Sequence, residues 1–104
     1  MAKTFSRKRI EVLVDMPLLS RIEKIAEVAG VKHFTILPTR GGGGTEGRWF
    51  DDRITGGAGT KVIFSAVTSE ESADSMIKVL EPLLDEYGIV VYRSDVEVIR
   101  SGKF

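Results

Sequence analysis

The first third of the chain changes from a strand-like to a helix-like pattern of apolar positions. Apolar and polar residues alternate over residues 9–14, where the apolar positions are Ile10, Val12 and Val14, and this period of two predicts a strand. Helical spacing follows, with apolar residues at Leu18, Ile22, Ile25 and Ala29. Asp15 is the expected helix N-cap and Pro17 suits the first turn. Gly30 is expected to end the helix, because glycine readily adopts the left-handed conformation found there.

The second half of the chain repeats this order. His33–Leu37 and Lys61–Val67 read as the second and third strands. Thr68 and Glu71 have capping-box spacing, and a second helix follows on apolar residues Ala73, Met76, Ile77, Leu80, Leu83 and Leu84. Pro82 should bend its last turn and Gly88 should end it. Residues 89–92 form the fourth strand, and after a turn at 93–94 an extended segment runs to the last residue.

Two glycine clusters interrupt the pattern between the second and third strands. Gly41–Gly44 follows Arg40, and the second cluster is Gly56, Gly57 and Gly59. Glycine-rich segments do not favour regular structure, so the sequence predicts one long loop of roughly twenty residues. A loop of that length inside a small domain indicates either a function or disorder.

The order of elements predicts an α+β, ferredoxin-like βαββαβ fold in a single domain over residues 1–104, with 1–8 as a flexible N-terminal segment. Its four-stranded antiparallel sheet carries two helices on one face. Residues 62–67 and 89–92 are apolar on both sides, whereas an open sheet normally keeps its wet face polar. An oligomer that covers the second face is favoured; the alternative is central strands with a few exposed apolar residues.

Composition excludes several classes of protein. The 104 residues hold 15 basic and 15 acidic side chains and no cysteine. A net charge of zero argues against broad affinity for nucleic acid or anionic membranes. The lack of cysteine removes disulfides and thiolate sites. We see no signal peptide and no apolar run of membrane-spanning length, so the expected protein is soluble and cytoplasmic.

Catalytic and metal-binding patterns are weak. His33 is the single histidine and has no nucleophile motif nearby, so a structural role is favoured. The carboxylate pairs 51–52 and 70–71 are neighbours in sequence, and neighbouring side chains project apart. Nothing resembles a metal cage. The expectation is a protein with no catalytic residue, no metal site and no enzymatic activity.

The glycine-rich loop offers a stronger signal for binding. Successive N–H groups without side chains can form a nest for phosphate oxygens, although simple flexibility is the commoner explanation. Arginine's planar fork suits phosphate, and the nearby cations are Arg40, Arg48, Arg53, Arg100 and Lys103. The aromatic pair Trp49 and Phe50 either tucks back onto the domain or anchors a partner; the two alternatives are equally weighted.

Two segments resemble the PII signalling family. Residues 34–43, Phe-Thr-Ile-Leu-Pro-Thr-Arg-Gly-Gly-Gly, are similar to the second strand and T-loop entry, and residues 94–100, Ser-Asp-Val-Glu-Val-Ile-Arg, resemble the C-terminal strand. The stretch from Tyr87 to Phe104 is most similar to the short PII-like branch associated with bicarbonate transporters and carboxysomes. The resemblance covers almost the whole chain from about Arg9.

The resemblance implies a cytoplasmic homotrimer that binds an adenine nucleotide in the clefts between subunits and has no covalent cofactor. Thr35 and Val67 would line the adenine pocket, and Gly88 stands where the family's B-loop begins. The implied phosphate contacts are Arg40, Gly41, Gly42, Gly43 and, across the interface, Arg100. Residues 41–59 would be the T-loop, whose implied partner-binding residues are Arg48, Trp49, Phe50 and Arg53.

Departures from the family pattern narrow the expected ligand. The longer glycine-lysine B-loop is absent between Glu86 and Val91, and the loop contains no tyrosine to modify. Fewer phosphate ligands favour AMP, ADP or a cyclic nucleotide over ATP, with bicarbonate as a second anion. The expected role is regulation of a transporter or carboxysome-related target in inorganic-carbon metabolism. The alternatives are a CutA-like metal-tolerance trimer and a weak nucleotide phosphohydrolase.

Overall fold

The computed structural model describes residues 3–45, 47–50, 60–100 and 104 of the chain. The strands are β1 (Phe5–Asp15), β2 (Phe34–Pro38), β3 (Gly41–Gly44), β4 (Gly47–Phe50), β5 (Lys61–Thr68) and β6 (Val90–Val98). The α-helices are α1 (Leu19–Ala29), α2 (Glu70–Leu80) and α3 (Leu84–Tyr87), with short 3-10 turns at Met16–Leu18 and Glu81–Leu83. Among the described residues, no helix is long and apolar enough to cross a membrane.

Four strands form one antiparallel sheet in the order β2-β5-β1-β6. Alternate residues of β1 and β5 point into the core and meet the apolar sides of α1 and α2. The fully buried core side chains include Ile10, Val12, Ile22, Phe64, Met76 and Leu80. Each such burial contributes roughly 1.5–3 kcal/mol, so this face holds the molecule together. The predicted ferredoxin-like α+β fold is confirmed.

The second helix begins one residue later than the capping-box spacing predicted. Ser69, not Thr68, is the N-cap, and its Oγ accepts a hydrogen bond from the Ser72 backbone N–H at 3.2 Å. Thr68 is still in β5, where its backbone completes the pairing with Lys8.

Both predicted features of the C-terminal end of the second helix are confirmed. The helix changes to a 3-10 turn around Pro82, and Gly88 adopts a left-handed conformation with φ of 63°.

Strands β1 and β6 are longer than predicted. β1 begins at Phe5 rather than Arg9, so the segment predicted to be flexible, residues 1–8, is already paired from residue 5 onward. β6 runs without interruption through Arg93 and Ser94, where a turn was predicted. The two strands pair over nine positions, and each supplies the other's backbone hydrogen bonds. That mutual pairing, which spans some ninety residues of sequence, is not visible in a local pattern.

The open face of the sheet carries one row of four aliphatic side chains. Leu37, Ile63, Leu13 and Val90 are consecutive cross-strand partners from one edge of the sheet to the other. Leu37 and Val90 are about two-fifths exposed. The next row is mostly polar, formed by Thr35, Ser65, Glu11 and Tyr92. The predicted apolar second face is therefore confined to a band across the sheet.

The glycine-rich segment is not an irregular loop. Gly41–Gly44 forms β3 and pairs antiparallel with Gly47–Phe50, which forms β4. The prediction that no regular element persists there is wrong. In an extended strand, successive side-chain positions alternate between faces and N–H groups point sideways toward the neighbouring strands, so Gly41–Gly44 does not form a concave phosphate nest. The residue preferences of strands did not predict β3, because glycine is depleted in strands generally.

Candidate functional site

The two residues expected at an adenine ring lie together on the open face. Thr35 is on the edge strand β2 opposite Ser65, and Val67 follows two residues later on β5. Thr35 and Val67 are thus diagonal neighbours, within reach of one ligand ring. Arg9 pairs with Val67 from the other side and is exposed. The sequence predicted Thr35 and Val67 but not Arg9, because only the register of β1 against β5 places it there.

The β3–β4 hairpin has two different faces. Trp49 pairs with Gly42, whereas Arg48 and Phe50 pair with Gly43 and Gly41. Trp49 is only partly exposed, but Phe50 is 62% exposed. The Arg48 guanidinium lies over the Phe50 ring, 5.0 Å from its centroid. Trp49 therefore packs back towards the domain, as the first alternative predicted, whereas Phe50 points outward. Partner binding by Phe50 stays a prediction.

Lys61 connects the hairpin to the main sheet. Its Nζ lies 5.6 Å from the centroid of the Trp49 ring and 2.6 Å from Asp15 Oδ1. Its backbone oxygen accepts a 2.5 Å hydrogen bond from Thr39 Oγ1, at the entry to the hairpin. Asp15 stands at the predicted N-cap position, before the 3-10 turn at Met16–Leu18, but its side chain makes no capping hydrogen bond and forms this ion pair instead. No pattern in the sequence indicated the contact between Lys61 and Trp49.

Two arginines line one cavity on the outward side of the hairpin. The cavity has a volume of about 340 Å³ and is formed by Arg40, Gly41, Gly42, Arg48 and Phe50. Neither arginine forms a salt bridge within the part of the chain that the structure describes. Two guanidinium groups beside a small cavity suit an anion with several oxygens, such as a phosphate or a carboxylate.

The remaining predicted nucleotide ligands are not brought together within one chain. Arg40 follows β2 just beyond Pro38, which is in register with Val62 and Val14. Arg100 follows β6 just beyond Val98, the partner of Phe5. Nine residues of β1 separate these two levels of the sheet, about 30 Å at roughly 3.4 Å per residue. Two residues of chain at either end cannot close that gap.

Gly88 lies at the same end of the sheet as Arg40, but beside the opposite edge strand. It lies two residues before the start of β6, where Val90 pairs with Leu13 near the hairpin end of the sheet. β2 and β6 are the two edge strands, so three strand spacings, roughly 14 Å, lie between them. Within one chain, the structure groups Arg40 with Gly41, Gly42 and Arg48 and leaves Gly88 and Arg100 apart. Arg53 and Lys103 lie outside the described residues.

One charge pair and one hydrogen bond connect β1 to the part of β6 that leads to Arg100. Lys8 of β1 donates a hydrogen bond to the Asp95 carboxylate of β6, and this bond together with the lysine's charge lowers the pKa of Asp95. Thr4 Oγ1 donates to Glu97 Oε1 at 2.9 Å. Because these contacts cross from β1 to β6 near its end, they hold the start of the C-terminal segment in place.

Comparison with known families identifies the chain. The family model described as nitrogen regulatory protein P-II matches residues 7–103. The chain belongs to the P-II family. Comparison with curated protein sequences finds no match.

Solved structures of PII-like proteins share the fold along the entire chain. The structure of CPII, a nitrogen regulatory PII-like protein from Thiomonas intermedia bound to ADP, AMP and bicarbonate, matches with a TM-score of 0.91 and 22% identity, covering 100% of this chain and 98% of that one. A putative PII-like signalling protein from Thermus thermophilus matches with a TM-score of 0.83 and 23% identity, covering 98% of both chains.

A similar architecture extends to an ATP complex of GlnK. GlnK of B. subtilis, solved with ATP, matches with a TM-score of 0.54 and 13% identity, covering 86% of this chain and 82% of its own. The TM-scores of these three matches establish a common fold. The much higher TM-score of the PII-like structures places this P-II chain nearer to them in shape than to GlnK.

Proposed function

We propose that this P-II protein is a non-enzymatic sensor of AMP and ADP. Three copies would assemble, bind the nucleotide between neighbouring subunits with bicarbonate as a second anion, and regulate a transporter or other cytosolic target through residues 41–59. Inorganic-carbon metabolism is the proposed setting. The protein would be cytoplasmic and need no metal or covalent cofactor.

The observation that carries this proposal is the division of the candidate ligands between two ends of one sheet. Arg40 and the glycine strand lie at one end, and Arg100 lies about 30 Å away at the other. A nucleotide is too small to contact both in a single chain. A second copy that packs against the open face can bring its Arg100 to the hairpin end of the first, which completes the site.

The aliphatic row on the open face supports that assembly. Leu37, Ile63, Leu13 and Val90 form a continuous band on the face of the sheet opposite α1 and α2. A contiguous apolar band on a sheet that is otherwise polar marks an association surface. Thr35 and Val67 lie on the same face as the band, so a nucleotide held there would lie next to the joined subunits.

The choice of ligand is supported by the number of cations and by the PII-like relatives. In the described part of the chain, Arg40 and Arg48 are the cations that line the hairpin cavity. With Arg100 of a neighbouring copy the proposed site would hold three guanidinium groups but none of the contacts of the longer glycine-lysine B-loop, which is absent between Glu86 and Val91, and this favours one or two phosphates over three. The CPII structures are described as bound to ADP, AMP and bicarbonate, to ADP and bicarbonate, and to ADP, AMP and acetate. Acetate and bicarbonate share the carboxylate shape that a pair of arginines binds.

Phe50 and Arg48 support a partner-binding role for the hairpin. Phe50 exposes most of its ring to solvent beside a guanidinium group, and exposed aromatic and arginine side chains are the usual anchors of protein interfaces. The CutA-like alternative has no comparable support, because the family match is to P-II and the described residues contain no cluster of metal-ligating side chains.

The test is a titration of AMP, ADP and ATP, each with and without bicarbonate, by calorimetry on a sample whose mass is known from light scattering. We expect a mass of three chains, micromolar binding of AMP or ADP, and tighter binding with bicarbonate. A monomeric mass, or no heat with any adenine nucleotide, would overturn the proposal. Release of phosphate during the titration would instead favour the phosphohydrolase alternative.

A further inference from the structure

The β3–β4 hairpin does not contain enough contacts of its own to fix its orientation. Two-stranded ribbons are marginally stable in water, and a strand made of Gly41–Gly44 loses the most backbone entropy on ordering and has no side chains to pack. Both strands nevertheless have a defined register. The contacts that set the position of the hairpin must therefore come from β4 and from the main sheet.

Trp49 provides the first of these contacts by lying directly against Gly42. A Cβ at position 42 would be 2.6 Å and 2.9 Å from two carbon atoms of the indole ring, closer than real Cβ contacts allow. A Cβ at position 44 would meet no atom within 4 Å. Neither glycine has a positive φ. Gly42 is thus required by the position of the indole ring, whereas Gly44 is free of that requirement.

Lys61 provides the second contact from the main sheet. Its ammonium group lies over the indole ring and is held by the Asp15 carboxylate at 2.6 Å. The Thr39 hydroxyl, which donates to the backbone of Lys61 at 2.5 Å, ties the hairpin entry to the same point. A cation above an aromatic ring is attracted by the negative face of the ring, most strongly where water is excluded. Trp49 is therefore fixed by Gly42 and Lys61 together.

The position of Trp49 decides where Arg48 points. Side chains alternate along a strand, so an inward Trp49 places Arg48 and Phe50 on the other face, around the cavity that Arg40 also lines. We propose that Trp49 and Lys61 are positioning residues for the anion site: they hold the hairpin so that Arg48 and Arg40 bind one anion together. This inference rests on the proposed function only in taking that anion to be the phosphate end of the nucleotide.

The experiment compares Gly42→Ala with its matched control Gly44→Ala, and Lys61→Met with Lys61→Arg. ADP binding is measured by calorimetry, inorganic pyrophosphate serves as the ligand without a base, and Trp49, the single tryptophan, reports its own environment by fluorescence. We expect Gly42→Ala and Lys61→Met to red-shift the emission and weaken both ligands about three- to tenfold. Gly44→Ala and Lys61→Arg should stay within about twofold of the wild type.

A double-variant cycle separates positioning from a loss of folding. In an Arg48→Ala background, Gly42→Ala should cause no further weakening, because the residue that Trp49 positions is gone. Full additivity of the two substitutions, or equal ADP affinity in Gly42→Ala and Gly44→Ala despite a shifted emission, would overturn the inference while leaving the nucleotide sensor intact. If the wild type binds pyrophosphate with this dependence but not ADP, the positioning role stands and the sensor proposal fails. If it binds neither ligand, both fail.

Discussion

Arg100 and Arg40 carry the same charge but follow strands that end at opposite ends of the sheet. Arginine is the residue best suited to phosphate because its planar fork donates two parallel hydrogen bonds. Arg40 already shares its cavity with Arg48, so losing one of that pair leaves the other. Arg100 has no such substitute at its end of β6 among the described residues of the proposed site, so its removal is the sharper test.

Arg100→Ala should weaken ADP binding by about 1.5–3 kcal/mol, the usual contribution of a hydrogen bond to a charged group. Calorimetric titration of ADP measures it. Lys24→Ala, on the exposed side of α1, removes the same charge away from the proposed site and should leave the affinity unchanged. An Arg100→Ala variant with wild-type affinity would remove this residue from the site.

Asp95 should titrate at lower pH than an isolated aspartate. The hydrogen bond and positive charge of Lys8 lower its pKa below the ordinary value of 3.8, outweighing a small opposing effect of burial. A lowered pKa in the folded state means that the pair stabilises the fold above about pH 4, and that this contribution is lost as the pH falls through the folded-state value.

The Asp95 carboxyl resonance, followed by NMR from about pH 6 downward, measures this directly. In Lys8→Met the midpoint should return toward the ordinary value. A wild-type midpoint at or above 3.8 would show that the two side chains are not paired in solution.

The first residue of helix α2 is set by where β5 ends and by the Ser69 hydroxyl that caps the helix. Thr68 and Ser69 are both plausible N-caps by residue type, but β5 continues through Thr68 to pair with Lys8. The helix can begin only after that pairing ends. Ser69 then satisfies the free N–H of Ser72, while Glu70 and Glu71 add negative charge at the positive end of the helix dipole.

Ser69→Ala should lower the free energy of unfolding by about 1 kcal/mol, because a free N–H of the first turn loses its acceptor. Urea denaturation followed by circular dichroism measures the change. Ser75→Ala, in the exposed middle of the same helix, is the matched control and should be neutral or slightly stabilising, since alanine favours helix. Equal destabilisation by both substitutions would argue against the cap.

The proposed assembly depends on the open face of the sheet more than on any single loop. One face of the sheet is covered by α1 and α2, and the other carries the row Leu37, Ile63, Leu13 and Val90. A charge placed in that row would have to be buried without a partner when subunits meet, which costs several kcal/mol. The proposed nucleotide site would be lost with the interface, because it draws on two chains.

Val90→Asp should therefore reduce the mass measured by light scattering to that of one chain and abolish ADP binding at the same concentration. Val90 is 40% exposed on an edge strand, so the fold of the single chain should persist. Val79→Asp is the control: it makes the same substitution at a position on α2 that is 49% exposed. A Val90→Asp variant that keeps both the wild-type mass and ADP binding would show that subunits do not meet there.

The elements that the sequence predicted well are those specified by local physical chemistry. Alternation over residues 9–14, the apolar run over residues 62–67 and helical spacing between Leu18 and Ala29 report burial directly. Gly30 and Gly88 end helices because both are left-handed there, at φ of 89° and 63°. The glycine strand was missed because a residue without a side chain shows no alternation.

The sequence by itself determined the fold class and the chemistry available, since periodicity, helix stops and residue types are all properties of neighbours along the chain. Tertiary structure alone decided which of those residues meet: Lys61 with Trp49 and Asp15, Arg48 with Arg40, and Arg100 far from both. Those relations depend on strand register and on which way a ribbon faces, and they are settled by contacts between segments distant in sequence.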